Sequence, residues 1–242
     1  SNPLVRQAFS LVIDRNYIVE NVSQSGEVPA TGYVPSGVYD AEGANGDDFR
    51  TVGGEYYSVS ADDYQANCDK ARELLAEAGY PDGFDTKIYC KSQDNDTATA
   101  FQAILSSVNV NAEVVTMDAS ALAEMQKDDD IDGFIANRGA SKMDFTANYI
   151  RLYSTEGIKN HGIMLDPPEF EDPLFAARAA KTQDEKKEKL QEAAVALAHD
   201  YVMITPLAII YYQSFADPAL ADTGIYDVSL EQWTPEAVHW TE

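Results

Sequence analysis

The sequence predicts an α/β fold with a mixed central sheet and helices on both of its faces, and three observations carry that expectation. Strand-like and helix-like segments alternate roughly every ten to fifteen residues between positions 86 and 137, the pattern of a sheet covered by its own connecting helices. A β-rich apolar run, Thr205-Pro206-Leu207-Ala208-Ile209-Ile210-Tyr211-Tyr212, is too short to span a membrane and apolar enough for a central strand. Helix start and stop signals stand where the alternation needs them.

Pro3 suits a first helical turn, which has no partner for its N–H, and Val5, Ala8, Phe9, Val12 and Ile13 recur at helical offsets. Asp14 recaps a second short helix carrying Tyr17, Ile18 and Val22. On pattern alone Arg6, Asp14 and Arg15 are expected to be solvated or paired locally. Residues 24–60 are rich in Gly, Asp, Tyr and Pro without periodicity, too long for an ordinary connection. Ser60 then caps a helix that ends at Gly79, with Pro81-Asp82-Gly83 turning the chain.

A strand at 86–90, a helix at 96–108, a strand at 112–117, a helix at 119–127 and a strand at 133–137 follow. Asp128, Asp129, Asp130 and Asp132 lack the interleaving and glycine of a calcium loop and are expected to form a solvated turn. After Asp144 comes a short helix with Phe145, Tyr149, Leu152 and Tyr153, and Phe170 opens another with Leu174 and Ala177. Thr182-Gln183-Asp184-Glu185 reads as a capping box for a long helix striped by Leu190, Ala194, Leu197 and Tyr201.

The 242 residues carry 17 Lys+Arg against 41 Asp+Glu, a formal charge of -24. Such a surface repels phosphate backbones and anionic lipid, so nucleic acid and membrane surfaces are poor candidate partners. Nothing in the sequence recommends an enzyme: there is no Gly-x-Ser-x-Gly, no phosphate loop and no His-Glu-x-x-His, and His161, His199 and His239 stand isolated. No metal or cofactor is expected. Cys68 and Cys90 lie on the apolar faces of a helix and the following strand, which leaves two readings, a pair of buried reduced thiols or a Cys68 to Cys90 bridge favoured by export.

The wording of the chain adds to its pattern. Val5-Arg6-Gln7-Ala8, then Ile13-Asp14-Arg15 with Ile18-Val19, then Gly26, Pro29-Ala30 and Pro35-Ser36-Gly37, resembles the start of the C-terminal lobe of the family 5 extracellular solute-binding proteins, the peptide receptors of ABC importers. Ala71, Leu74-Leu75 and Ala78-Gly79-Tyr80-Pro81-Asp82-Gly83-Phe84 resemble the family's next helix and turn. The long helix, the Pro-Leu strand and the aromatic tail with Tyr226, Trp233 and Trp240 are similar again.

Ser1-Asn2 reads as an expression scar, and the resemblance implies a periplasmic-binding-protein type II-like lobe over 3–216 with a tail at 217–242 that returns to a first lobe outside this sequence. It implies a monomeric, extracytoplasmic receptor, a periplasmic protein or cell-surface lipoprotein, that delivers a peptide or small polar solute to a membrane permease without inserting into the bilayer itself. The alternatives are the ligand-sensing lobe of a regulatory protein or a hydrolase. In the family a loop reading Gly-Trp-x-Ala-Asp-Tyr-x-Asp-Pro holds the ligand. With Gly139-Ala140 and Asp144 in register, Arg138 stands near the Trp place, Ser141 replaces the amine-binding Asp and Phe145 replaces the Pro. Arg138, Ser141, Lys142 and Asp144, with Tyr211 and Tyr212 at a neighbouring strand end, are therefore the expected ligand-binding residues, suited to an acidic or strongly polar ligand.

Overall fold

The computed structural model describes residues 2–32, 58–127, 131–136, 149–151, 153–157, 168–209, 217–221, 226–227, 232–233 and 239–241. Helix α1 (Pro3–Val12) starts where Asn2 accepts a hydrogen bond from the amide of Leu4, and Pro3 takes the first position. The Asp14 carboxylate accepts from the amide of Tyr17 and caps α2 (Arg15–Tyr17), which runs on into a π turn over Ile18–Ser23. Helix α3 (Ala61–Glu77) begins at Ser60, whose side chain accepts from Asp62. The caps at Asp14 and Ser60 stand at positions marked in the sequence, because a cap depends only on residues within a turn of itself, whereas sequence reasoning did not single out Asn2 as one.

Among the described residues three parallel strands form the sheet: β2 (Phe84–Lys91), β3 (Val110–Met117) and β4 (Gly133–Ala136), in the order β3-β2-β4. Parallel pairing requires a crossover between successive strands, supplied by α4 (Asn95–Ser106) and α5 (Ala119–Met125). The register pairs Ile88 with Val114 and with Phe134, so one face carries Ile88, Cys90, Val110, Ala112 and Phe134. That face meets α1, α3 and α4 in a core centred on Phe9, which stacks on Phe84 at 6.0 Å and meets the edges of Phe101 at 6.1 Å and Phe134 at 5.3 Å. The chain first moves from β2 to β3 and then back past β2 to β4. Right-handed crossovers, nearly universal in such units, therefore put α4 and α5 on opposite faces; Leu122 of α5 is buried apart from the core that holds Phe101 and Leu105.

A second core joins Tyr149, α6 (Pro168–Ala179) and α7 (Gln183–Val195) through Phe170, Leu174, Leu190 and Leu197. Thr182 accepts from the amide of Glu185, while the Glu185 carboxylate reaches one residue beyond the usual box partner to the amide of Lys181. Helix α7 ends in a π turn, Ala196–Asp200.

Two expectations are corrected. The run at 205–212 does not join the central sheet among the described residues. Its strand β5 (Ala208–Ile209) pairs antiparallel with β1 (Val28–Pro29), an edge pairing that tolerates Pro29, which has no N–H to donate to a ladder. The central sheet is accordingly all parallel, not mixed, among the described residues. Arg6 and Arg15 are also not solvated or locally paired. Arg6 Nε donates to the carbonyls of Tyr201 at 2.8 Å and Val202 at 3.0 Å, and burial pulls its guanidinium below the ordinary arginine range. Arg15, 3% exposed, donates from Nε to the Pro206 carbonyl at 2.9 Å and from Nη1 to that of Ser10 at 3.1 Å.

The tail forms two short antiparallel ladders, β6 (Leu220–Ala221) with β9 (His239–Trp240) and β7 (Tyr226–Asp227) with β8 (Gln232–Trp233). Tyr226 pairs with Trp233, and Trp240 is 67% exposed.

Two stability outcomes follow from these contacts. Arg15→Ala should lower unfolding free energy by about 3 kcal/mol, because charge-assisted bonds are lost and carbonyls are left buried without a donor, and Arg15→Lys should recover only part, since an ammonium cannot reproduce the fork. Urea titration measures both, and a loss under about 1 kcal/mol for Arg15→Ala would contradict the account. Gly79 and Gly83 both have positive φ, but a Cβ on Gly79 meets nothing within 4 Å, whereas one on Gly83 would lie 1.8 Å from the carbonyl oxygen of Asn109. Gly79→Ala should therefore cost about 1 kcal/mol, and Gly83→Ala clearly more, in the same titration.

Candidate functional site

Because the three strands are parallel, their carboxyl ends share one edge: Lys91, Met117 and Ala136 close β2, β3 and β4 there. The chain leaves β2 for α4 on one face and leaves β3 for α5 on the other. Adjacent strands whose connections part in this way open a crevice outside their carboxyl ends, the usual place for a ligand in an open α/β sheet. The candidate site is therefore this edge, and residues 137–148, which hold Arg138, Ser141, Lys142 and Asp144, follow β4 directly in the sequence. Those four residues, with Tyr211 and Tyr212, lie outside the described residues.

The described edge is polar. A turn of 3-10 helix, Ser92–Asp94, links β2 to α4. Asp94 is buried, with a side-chain exposure of 4%, and its Oδ2 lies 3.9 Å from the Lys91 ammonium. The Thr116 hydroxyl of β3 donates to Asn95 Oδ1 at 3.0 Å and lies 4.0 Å from the Cys90 sulfur, tying the ends of β2 and β3 to the start of α4. Asp118 caps α5, its Oδ1 accepting from the amides of Ser120 and Ala121 at 2.9 Å and from the Ser120 hydroxyl. These bonds, the Ser120 hydroxyl first, hold its carboxyl below the ordinary value. Sequence reasoning did not single out Lys91, Asp94 or Asn95, which look like a strand end and a helix start. Their position after the first strand of a crossover pair was the available signal.

A second polar cluster lies on the sheet face opposite the aromatic core. Lys87 Nζ donates to Asp132 Oδ2 at 2.6 Å, and the Tyr89 hydroxyl donates to the other oxygen of the same carboxylate. The hydrogen bonds to Lys87 and Tyr89 lower the Asp132 carboxyl. Asp132 is thus paired yet still solvated, its side chain 62% exposed, while Asp128, Asp129 and Asp130 lie outside the described residues. His199 is exposed, with Nδ1 2.7 Å from Asp200 Oδ1. Among the described residues no group of three or more His, Cys, Asp or Glu could hold a metal, and no helix is long and apolar enough to cross a membrane.

Cys68 and Cys90 are both buried and free. Cys68 adjoins Tyr64 on α3; burial, then the neighbouring Cys68, pushes the Tyr64 hydroxyl up, and that hydroxyl donates to the Val12 carbonyl at 3.2 Å.

Comparison with known proteins gives the same architecture. Residues 1–160 match the family model for bacterial extracellular solute-binding proteins, family 5, middle region. The glutathione-binding protein GsiB of Salmonella typhimurium is 33% identical over 126 residues, 50% of this chain and 21% of that protein. GsiB of Escherichia coli K12 is likewise 33% identical over 126 residues, with the same shares. The match thus spans about a fifth of these relatives. Among solved structures, Haemophilus influenzae OppA in complex with RPPGFSPFR superposes with a TM-score of 0.72 at 18% identity, covering 90% of this chain and 42% of that one. DppA of Helicobacter pylori in complex with the peptide STSA gives 0.66 at 22% identity, over 86% of this chain and 38% of that one.

The thiols supply a check on the core. A thiol reagent should modify Cys68 and Cys90 promptly in denaturant and neither on the same timescale in the native protein, since both lie in the core between the sheet and its helices. A non-reduced mass two hydrogens lighter than the reduced one would show a bridge instead.

Proposed function

Because the chain belongs to the bacterial extracellular solute-binding proteins of family 5, we propose that it is the C-terminal lobe of the substrate-binding component of an ABC importer. In this reading it holds a peptide or another small polar solute against a second lobe outside this sequence. The observation that carries it is the carboxyl edge of the parallel sheet, where the chain leaves β2 and β3 toward opposite faces and polar groups of both strands gather. The relatives support the ligand class, since GsiB is named for glutathione and the OppA and DppA structures hold peptides. On the same reading the protein is a monomeric carrier rather than an enzyme. It works outside the cytoplasm, in the periplasm or as a surface lipoprotein, and hands its solute to a membrane permease.

Within that cleft we assign the ligand contacts to Arg138, Ser141, Lys142 and Asp144, with Tyr211 and Tyr212 beside them. A serine cannot replace the charge-assisted contact that a carboxylate makes with a ligand amine. Arg138 and Lys142 suit a carboxylate or another acidic group in its place. The residues 217–242 then return toward the first lobe, which gives exposed Trp240 a partner surface.

Receptors that close about a hinge draw their contacts from both lobes. Calorimetry should therefore detect weak or no binding of glutathione and short peptides by this chain alone, and clear binding by the two-lobe protein. Equal micromolar affinity in both would overturn the lobe assignment. In the two-lobe protein Arg138→Ala should weaken binding by about 1.5 to 3 kcal/mol. Unchanged affinity in a variant carrying both Arg138→Ala and Ser141→Ala would remove the loop from the site.

A further inference from the structure

Building on the binding role proposed above, we propose that Lys91 and Asn95 form a subsite for a carboxylate group of the ligand, with Asp94 as the positioning residue that holds the Lys91 ammonium at the sheet edge.

The argument starts from what the Lys91 ammonium lacks. Lys87, Lys127 and Lys189 each bring Nζ within 2.6 to 2.7 Å of a carboxylate oxygen. The Lys91 ammonium stands 3.9 Å from Asp94 Oδ2, attracted but beyond hydrogen-bond reach, and among the described residues it has no other charged partner. Its side chain is 27% exposed while that of Asp94 is 4% exposed. The buried acid therefore favours a cation beside it without consuming the cation's donors, and an ammonium keeps three of them.

Asn95 has a similar surplus. Its Oδ1 is engaged by the Thr116 hydroxyl at 3.0 Å, which fixes the amide, and its Nδ2 has no acceptor among the described residues. Lys91 closes β2 and Asn95 opens α4, so both stand at the mouth of the crevice between the carboxyl ends of β2 and β3. The acids close by do not cancel the subsite. Asp94 is matched by Lys91, and Asp118 Oδ1 is committed to its own cap. Asp96 is exposed, where water and salt screen its charge. Two donors without acceptors, one of them cationic, favour an anionic oxygen over an amine.

The test uses the two-lobe protein and an equimolar mixture of tripeptides, offered once with free carboxyl termini and once as the terminal amides, with retained species counted by mass spectrometry. The wild type should retain the free acids at least about tenfold over the amides, the range of one charge-assisted hydrogen bond. Lys91→Met should abolish that preference by lowering retention of the free acids more than that of the amides, and Lys91→Arg should keep it. Asn95→Asp, a nearly isosteric change, serves as the second variant and should lower acid retention more than that of the amides. If the wild type prefers acids and both Lys91→Met and Asn95→Asp keep the preference, the subsite is wrong and the binding role stands. Equal wild-type retention of acids and amides also overturns the subsite alone. If the wild type retains neither, the binding role itself fails and the subsite falls with it.

Discussion

The buried guanidinium of Arg15 is the constraint on which the arrangement depends. A charge taken out of water must meet polar groups at once, or its desolvation outweighs the packing gained around it. Arg15 meets carbonyls from both ends of the chain, Ser10 nearby and Pro206 191 residues away. Arg6 and Gln7 repeat the reach, to the carbonyls of Tyr201, Val202 and Asp200. Carbonyls turned toward these side chains are unavailable to a continuing helix. The helical run accordingly stops after its π turn, and Val202 takes a φ of 46°. A β-branched residue seldom adopts that region, and it persists here because its carbonyl is held from outside. The same fastening brings residues 204–209 alongside the opening segment, where β5 pairs with β1.

That fastening also explains the division of the core. One apolar cluster sits between the sheet and α1, α3 and α4, and the other between α6 and α7. Between them pass the hydrogen bonds of Arg6 and Gln7, from α1 to the end of the α7 turn. Phe9 belongs to the same helix and faces the first cluster. A ten-residue helix thus packs its apolar face on the sheet and uses its polar side chains to hold the second cluster.

Much of the fold was legible because the signals that fixed it are local. Asp14, Ser60 and Thr182 cap helices within a turn of themselves, and Gly79 and Gly83 take the positive φ that their turns demand. What was not legible depends on distant partners. An apolar run at 205–212 announces a strand but carries no information about its neighbour, and the neighbour is a two-residue edge with a proline. The arginines of the opening motif look like surface charges until the far end of the chain comes beside them. The candidate site divides in the same way. A likeness in wording pointed to residues 138–144, whereas Lys91 and Asn95 emerge only when the strand order shows which connections part at the edge.

The charge of the whole chain and the charge of the edge then act at different ranges. A formal charge of -24 repels an acidic solute at a distance, but at physiological salt that field decays over about 8 Å. Inside the crevice the balance is local. An ammonium already desolvated on one side and positioned by a buried carboxylate offers unfilled donors, and a ligand oxygen need not displace a protein group to take them. Selectivity set in this way lives in contacts rather than in the field, so an abundance of acids on the surface is compatible with an acid-binding edge. The same logic favours a cleft closed by a second lobe, because excluding water from the edge is what turns an exposed lysine contact, worth little in solvent, into one that discriminates.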